Sequence, residues 1–352
     1  MYKRARCPAA RVGGNIGDCA YPSAHPSSMP ELANWAFPPE LQPAPDDVRF
    51  DLGRALDAVV LVHTEIPDEA FTASILGTER VGNGVVIGSD GLVLTIGYLV
   101  TEARSVWLTN SAGIAVPAHP LAYDQITGFG LVLPLGSLDA PALPRGRSAT
   151  PAVGSEVYVI GHGGRAHALK ARLVSRREFA GYWEYVLDEA LFTAPAHPQW
   201  GGAALLDSNG ELIGIGSLLV QESVEDEEVQ GNMFVPIDLL DPILDELTRH
   251  GRRAGPPRAW LGMYVAELAS HLVVNALADD GPAAQAGVHV GDVVLEIAGE
   301  KPASLADLFR RVWRLGRAGT EVPLVLSRRG QALRVTVRSA DRNDFLWKPS
   351  LQ

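Results

Sequence analysis

Histidine and serine side chains that could form a base and nucleophile pair are scattered through the middle of the chain. A histidine that takes the proton of a serine hydroxyl turns that serine into a nucleophile for acyl transfer. The candidate residues for such a pair are His162, His167, His197, Ser208 and Ser217. We interpret each first as a surface polar residue and keep a relocated catalytic pair as the alternative.

His162 and His167 also have the chemistry of metal ligands, but no convincing third ligand accompanies them. A zinc site needs at least three protein ligands, so we predict no metal site, and we predict no cofactor. The two cysteines, Cys7 and Cys19, both lie in an irregular N-terminal stretch. A disulfide framework is therefore excluded for the folded part of the chain.

The charge balance excludes one large class of partner. The net charge is −11, whereas phosphate contacts need clustered Lys and Arg, so we predict no nucleic-acid binding. No window approaches the roughly 20 apolar residues of a membrane span, so we predict no membrane insertion. The basic start lacks the apolar run of a signal peptide. We expect a cytoplasmic protein, or a periplasmic one if the N-terminus is misannotated, and either Met1 or Met29 as the start site.

Short apolar runs between turns indicate a strand-rich fold. The 352 residues are 47% hydrophobic, enough for two cores, and contain 36 glycines and 25 prolines, which suit a turn-rich β protein. Runs of this kind are residues 59–62, 85–87, 92–94 and 157–160. This pattern predicts a many-stranded barrel or sandwich.

Two helices are predicted from apolar residues at helical spacing. The first covers 236–250, with Asp238 as N-cap and Gly251 as the stop. The second covers 304–315. The apolar stripe of the second helix consists of Leu305, Leu308, Phe309 and Val312.

Four blocks in order resemble the trypsin-like HtrA (Deg) proteases. They are residues 81–100, 122–133, 199–214 and 233–237. The resemblance implies a mainly β fold, a trypsin-like double Greek-key β-barrel followed by a PDZ domain. The implied organisation is a disordered segment at 1–45, the protease-fold domain at 46–250, a linker at 251–257 and the PDZ domain at 258–345.

Matching the family's motifs residue by residue places substitutions at every catalytic position. Such a protease needs a Ser nucleophile, a His base and an Asp that orients the His. The His position falls on Tyr98, the Asp position on Gly128 and the nucleophile on Trp200. The oxyanion-hole glycine falls on Pro198, which has no N–H to donate. The chain is thus predicted to be a pseudoprotease with no catalytic residue.

The spacing of the nucleophile block leaves its register open. Residues 201–206 carry about one residue more than the family's usual spacing. A slip of the alignment would still not restore a nucleophile, because no serine lies between Ser175 and Ser208.

Residues 281–287 and 290–294 resemble the glycine-turn block of an HtrA PDZ domain. In this family a loop before a strand offers backbone N–H groups to a peptide carboxylate, and the peptide adds to the sheet edge. We expect Asp292 to tie the turn backbone. The predicted peptide-binding residues are Trp260, Leu261, Gly262, Met263 and Val265 on the loop and strand, and Leu305, Phe309 and Val312 on the helix.

The leading hypothesis is an inactive HtrA-like adaptor or regulator that binds protein C-termini or unfolded peptides through its PDZ domain. One alternative is a residual or unconventional serine-type endopeptidase. Another is a non-catalytic subunit of a homo-trimer or of an assembly with active HtrA paralogues. By family analogy, Trp35, Phe37 and Phe50 would be the trimer contacts in that case.

Overall fold

Two closed six-stranded barrels are followed by a five-stranded sheet. The computed structural model describes residues 35–224, 227–268 and 271–348. All pairings between neighbouring strands in the three sheets are antiparallel. The predicted mainly β architecture, with two barrels before a C-terminal sheet, is confirmed.

The first barrel has the strand order β1-β2-β3-β6-β5-β4 and closes through pairing of β1 with β4. Its strands read as apolar runs because their inward side chains fill the barrel. The bounds are β1 Val59–Glu65, β2 Glu79–Val86, β3 Val93–Ile96, β4 Ser105–Thr109, β5 Ala115–Tyr123 and β6 Phe129–Pro134.

The second barrel has the order β10-β11-β12-β9-β8-β7 and closes through pairing of β7 with β10. Strands β8 and β9 are long and extend toward the C-terminal sheet as a hairpin. The bounds are β7 Glu156–Ile160, β8 Ala168–Gly181, β9 Tyr185–Ala194, β10 Ala204–Leu206, β11 Leu212–Val224 and β12 Glu227–Pro236.

Three helices accompany the barrels: α1 Leu52–Asp57, α2 Ala73–Leu76 and α3 Asp241–His250. The predicted 236–250 helix begins later than expected, because residues 237–239 form a 3-10 turn. Asp238 is not the N-cap: its carboxylate accepts hydrogen bonds from the N–H groups of Ser148 and Ala149 instead. Gly251 ends the helix in the left-handed conformation, as predicted.

The C-terminal sheet comprises β13 Met263–Leu268, β14 His271–Leu277, β15 Val293–Ile297, β16 Glu321–Arg328 and β17 Gln331–Arg338, with helices α4 Pro282–Gln285 and α5 Leu305–Leu315. Helix α5 matches the predicted helix, and the Ser304 hydroxyl caps it by accepting from the Asp307 N–H. Its apolar stripe is buried, at about 1.5–3 kcal/mol for each large side chain. Asp292 accepts from the His289 N–H, as expected for a residue that ties the turn.

The chain is ordered earlier than the predicted 1–45 disordered segment allows. Residues 1–34 of that segment lie outside the described residues. From Phe37 onward the chain packs on the second barrel, with Phe37 edge-on to His197 at 5.1 Å between ring centroids. Phe50 packs against Tyr158 at 5.4 Å. These two rings therefore pack against other residues of the same chain.

Candidate functional site

Tyr98 lies between the two barrels. It belongs to a 3-10 turn, Gly97–Leu99, that follows β3. Its hydroxyl donates a hydrogen bond of 3.1 Å to the Ser217 carbonyl oxygen on β11, and its own carbonyl accepts from Arg80 at 2.7 Å. Burial raises the pKa of the Tyr98 phenol well above its ordinary value. The phenol is therefore a hydrogen-bond donor at neutral pH and not a base.

Gly128 adjoins this turn, because the Gly97 N–H donates to the Gly128 carbonyl at 2.7 Å. Gly128 has φ +85°, a left-handed conformation that disfavours a side chain. A Cβ atom on it would lie 3.2 Å from the hydroxyl oxygen of Tyr185. That hydroxyl donates to the Thr127 carbonyl at 2.6 Å. A tyrosine hydroxyl from β9 thus lies beside the backbone where the motif places an orienting carboxylate.

The carboxylate of Asp124, which lies near Gly128 in the chain, binds Thr127 and Arg253. It accepts from the N–H and hydroxyl of Thr127, at 2.9 and 2.6 Å. It also pairs with Arg253 through two hydrogen bonds of 2.8 Å. This arrangement fixes the loop before Gly128 and joins it to the predicted 251–257 linker.

Two consecutive residues of the predicted nucleophile block adjoin Tyr98. The Trp200 side chain lies close enough to the Tyr98 phenol to lower its pKa, against the larger effect of burial. A Cβ atom on Gly201 would lie only 2.7 Å from the Tyr98 hydroxyl oxygen. The Gly201 backbone, one residue after Trp200, therefore lies directly against the Tyr98 hydroxyl.

Gly201 is held in place by the first barrel. Its carbonyl accepts from the Asn83 N–H at 2.8 Å and from the Asn83 side-chain amide at 3.1 Å. The same amide donates to the Gln199 carbonyl at 2.8 Å. Asn83 thereby fixes the segment that faces Tyr98.

The N–H two residues before Gly201 belongs to Gln199, and it donates to His197 Nδ1 at 3.0 Å. His197 Nε2 lies 2.9 Å from the His167 carbonyl oxygen. This pairing requires the neutral tautomer with its proton on Nε2. Burial lowers the pKa of His197 to about 4. Pro198, the predicted oxyanion position, is exposed.

The other candidates for relocated chemistry contact backbone. His162 Nε2 lies 3.2 Å from the Asn110 carbonyl oxygen, and burial lowers the pKa of His162. The Ser217 carbonyl accepts from Tyr98, and Ser208 lies exposed in the turn before β11. Among the described residues, no group of three or more His, Cys, Asp or Glu side chains is arranged to hold a metal ion.

The predicted PDZ loop has a carboxylate on its N–H groups. Glu184, in the turn between β8 and β9, accepts from the Leu261 N–H at 3.0 Å and from the Met263 N–H at 3.2 Å. Gly262, between these two donors, takes φ +68° at the centre of the loop. Burial raises the pKa of Glu184 to about 7.

The predicted groove residues come together around this loop. Leu261, Met263, Val265, Leu305, Phe309 and Val312 belong to one apolar cluster. Trp260 packs in a neighbouring cluster with Tyr264. All of them are buried, so other parts of the chain cover them.

Sequence reasoning missed Glu184 and Tyr185. They lie in the segment Tyr182-Trp183-Glu184-Tyr185, in which one acid stands among three aromatic residues at a strand turn. That composition was the available signal, because a lone carboxylate in an aromatic hairpin turn needs a partner when it is buried.

Comparison with known proteins identifies both halves. A trypsin-like peptidase domain model matches residues 82–215, and a PDZ domain model matches residues 259–338. Within the described residues, no helix is long and apolar enough to cross a membrane.

Curated relatives include a probable periplasmic serine endoprotease DegP-like of Pseudomonas putida, 28% identical over 76% of this chain and 57% of the relative. The serine endoprotease DegS of Escherichia coli is 25% identical over 74% of this chain and 77% of the relative. The chain thus spans little more than half of the DegP-like relative. Among solved structures, the HtrA-type protease AlgW with decapeptide shares the fold, with TM-score 0.50, 21% identity and coverage of 85% of this chain and 98% of that one.

Proposed function

We propose that this chain, a homologue of the HtrA proteases DegS and DegP that joins a trypsin-like peptidase domain to a PDZ domain, is a peptide-binding adaptor or regulator without serine-protease catalysis. The observation that carries the proposal is the proximity of the Gly201 backbone to the Tyr98 hydroxyl, which lies 2.7 Å from where a Cβ atom of residue 201 would be. A glycine has no nucleophile, and a buried phenol is no base at neutral pH.

The surroundings of this pair support the same conclusion. Tyr185 stands beside Gly128, so no carboxylate orients a base there. The Gln199 N–H is used by His197 and does not point into a cleft. Loss of the triad costs about 10⁶-fold in rate, and loss of one oxyanion donor costs roughly another 10²–10³-fold.

We further propose that Gly201, and not Trp200, occupies the nucleophile position, while Tyr98 and Gly128 occupy the base and acid positions. The short Gly201–Tyr98 approach supports this register. Under this register the oxyanion position moves from Pro198 to Gln199. Trp200 then stands beside Tyr98 and closes the vacant site.

The ligand of the PDZ domain is proposed to be the free C-terminus of a protein or unfolded peptide. The N–H groups of Leu261 and Met263 already donate to one carboxylate, that of Glu184. A peptide carboxylate has the same chemistry. The apolar side chains of β13 and α5 would take the last side chain of the peptide.

The test combines an activity assay and a binding assay on the full chain. We expect no labelling by a serine-directed fluorophosphonate and no cleavage of casein. Decapeptides with a free, apolar C-terminal residue should bind more tightly than their C-terminal amides, by about 1–3 kcal/mol. Labelling of one serine at stoichiometric yield would contradict the absence of serine-protease catalysis. Equal affinity for acid and amide peptides would contradict recognition of a free C-terminus.

The main competing function is an unconventional endopeptidase, which the names of the relatives favour. The casein assay distinguishes it. Assembly with active paralogues is the other competitor, and co-purification distinguishes it. The use of Phe37 and Phe50 inside the chain leaves these two rings less available as trimer contacts.

The names of the relatives also bear on the cellular compartment of this protein. The DegP-like relative is named periplasmic, and no relative reported above supports the expected cytoplasmic location. We propose the periplasmic alternative, and fractionation of the source cells tests it.

A further inference from the structure

The turn between β8 and β9 inserts into the PDZ groove. We call residues 181–185 the hairpin tip. They span Gly181, the last residue of β8, to Tyr185, the first residue of β9. Two contacts of the tip are ones that an extended peptide ligand would make, and a third set of contacts holds the adjoining part of the hairpin to the helix.

The first contact is the carboxylate. Glu184 has φ +63°, a left-handed conformation that non-glycine residues adopt uncommonly. In this conformation its carboxylate reaches the N–H groups of Leu261 and Met263. These donors lie in the loop that precedes β13, the place where a peptide's terminal carboxylate would bind.

The second contact is a backbone hydrogen bond to the edge strand. The Val265 N–H on β13 donates to the Tyr182 carbonyl at 3.2 Å. Strand addition by a peptide uses the same N–H groups of a sheet edge. The Tyr182 ring also packs on Tyr264 of β13, edge-on at 6.1 Å between ring centroids.

The third contact lies on the helix side of the groove. Val186, next to the tip, is buried in the same apolar cluster as Phe309 and Val312 of α5. Arg310 of α5 forms ion pairs with Glu178 on β8 and with Asp188 on β9. The hairpin is therefore held from both walls, β13 and α5.

We infer that the hairpin tip is an internal ligand of the PDZ domain, with the Glu184 carboxylate in the place of a peptide's C-terminal carboxylate, so that a partner must displace the tip in order to bind. This inference rests on the proposed peptide-binding function and adds its regulation. A competing internal ligand lowers the apparent affinity by the fraction of molecules whose groove is open.

Displacement of the tip would reach the protease half. Tyr185, the last residue of the tip, donates to the Thr127 carbonyl beside Gly128. Release of Glu184 from the PDZ loop would therefore loosen the contact that holds the loop at Gly128. Peptide binding is in this way connected to the site between the barrels.

The experiment measures binding of fluorescent decapeptides ending in free Val, Leu or Phe to the full chain and to Glu184→Ala. We expect Glu184→Ala to bind the acid peptides at least about tenfold more tightly, as removal of a dominant competitor predicts. Glu189→Gln is the matched control. It neutralises an acid on the same β9 strand that pairs with Arg176 and not with the PDZ domain, and its affinity should equal that of the wild type.

A second variant keeps the test decisive if Glu184→Ala folds poorly. Arg310→Gln removes both ion pairs that hold the hairpin to α5 and leaves the carboxylate loop intact. It should also bind the acid peptides more tightly, by a smaller factor. Hydrogen exchange on the wild type adds an independent readout, since saturating acid peptide should raise the exchange rates of the hairpin tip amides.

The outcomes separate the two proposals. Equal affinity of the wild type and both variants, with no change of exchange in the tip, would overturn the internal ligand and leave the peptide-binding function standing. Failure of every acid peptide to bind wild type and variants alike would overturn the peptide-binding function itself.

Discussion

Glu184 and Tyr185 are neighbours in the chain, yet their side chains bind two different sites. The Glu184 carboxylate accepts from the Leu261 N–H at 3.0 Å in the PDZ loop, while the Tyr185 hydroxyl donates to the Thr127 carbonyl at 2.6 Å in the first barrel. One turn between β8 and β9 therefore contacts both the loop before β13 and the loop at Gly128 in the first barrel.

The register of the nucleophile block can be tested by rebuilding a Ser–His pair. Tyr98→His combined with Gly201→Ser should react with a fluorophosphonate at position 201, because the two side chains face each other. Tyr98→His combined with Trp200→Ser should remain unlabelled, and so should Tyr98→His alone. Labelling, and not turnover, is the readout, since no carboxylate at Gly128 orients the new base. Preferential labelling at position 200 would restore the register that the sequence alone suggested.

Buried His197 should make the protein sensitive to acid. Burial lowers its pKa from 6.5 to about 4. Between these two pH values His197 therefore binds a proton in the unfolded chain but not in the folded chain. The free energy of unfolding should therefore fall by about 3 kcal/mol as the pH drops from 7 to 4.

Urea unfolding at pH 7 and pH 4.5 measures this loss. His197→Gln should show a smaller loss than the wild type, whereas the exposed His119→Gln should show the wild-type loss. An undiminished acid loss in His197→Gln would assign the sensitivity to other groups.

Peptide affinity should rise with pH. The pKa of Glu184 is about 7 when the tip is docked, against an ordinary 4.5, so the docked tip holds a proton that the released tip loses. Docking is thus favoured at low pH and weakens as the pH rises toward 7, by up to about tenfold per pH unit. The other charged and titratable groups that face this region are Arg342, Tyr182, Tyr264 and Asp279. Burial raises the pKa of Tyr264, which keeps its phenol neutral across this pH range.

Titration of an acid peptide from pH 5 to pH 8 measures the effect, since the peptide carboxylate stays ionised throughout. The affinity of the wild type should increase across this range, and that of Glu184→Ala should stay flat. The same slope in both proteins would mean that another group titrates.

Asp292 should be required for the stability of the PDZ domain. Its carboxylate forms two hydrogen bonds of 2.8 Å with Arg328 and accepts from the His289 N–H, and its side chain is 1% exposed. Asp292→Ala leaves the arginine without its partner and should cost about 3 kcal/mol in the free energy of unfolding. Asp279→Asn, an exposed acid in the same domain, should change stability little. Chemical denaturation of both variants checks the difference.

The sequence by itself was enough to predict the mainly β fold, helix α5 and the tie made by Asp292. These features depend on local spacing: apolar runs between turns, an apolar stripe at helical period and motifs of fixed length. Ser304 caps α5 through a hydrogen bond only three residues away. Such relationships involve residues within a short stretch of chain, so they can be predicted without a structure.

The tertiary structure decided the two points that matter most for function. Whether residue 200 or 201 faces Tyr98 depends on how Asn83 holds a segment 118 residues away, and one extra residue in a loop does not reveal this choice. The contact of Glu184 with the loop before β13 joins residues separated by 77 positions, and no motif of the sequence predicts it. Contacts at such separations come from the packing of one domain on another, which no local pattern of residues specifies.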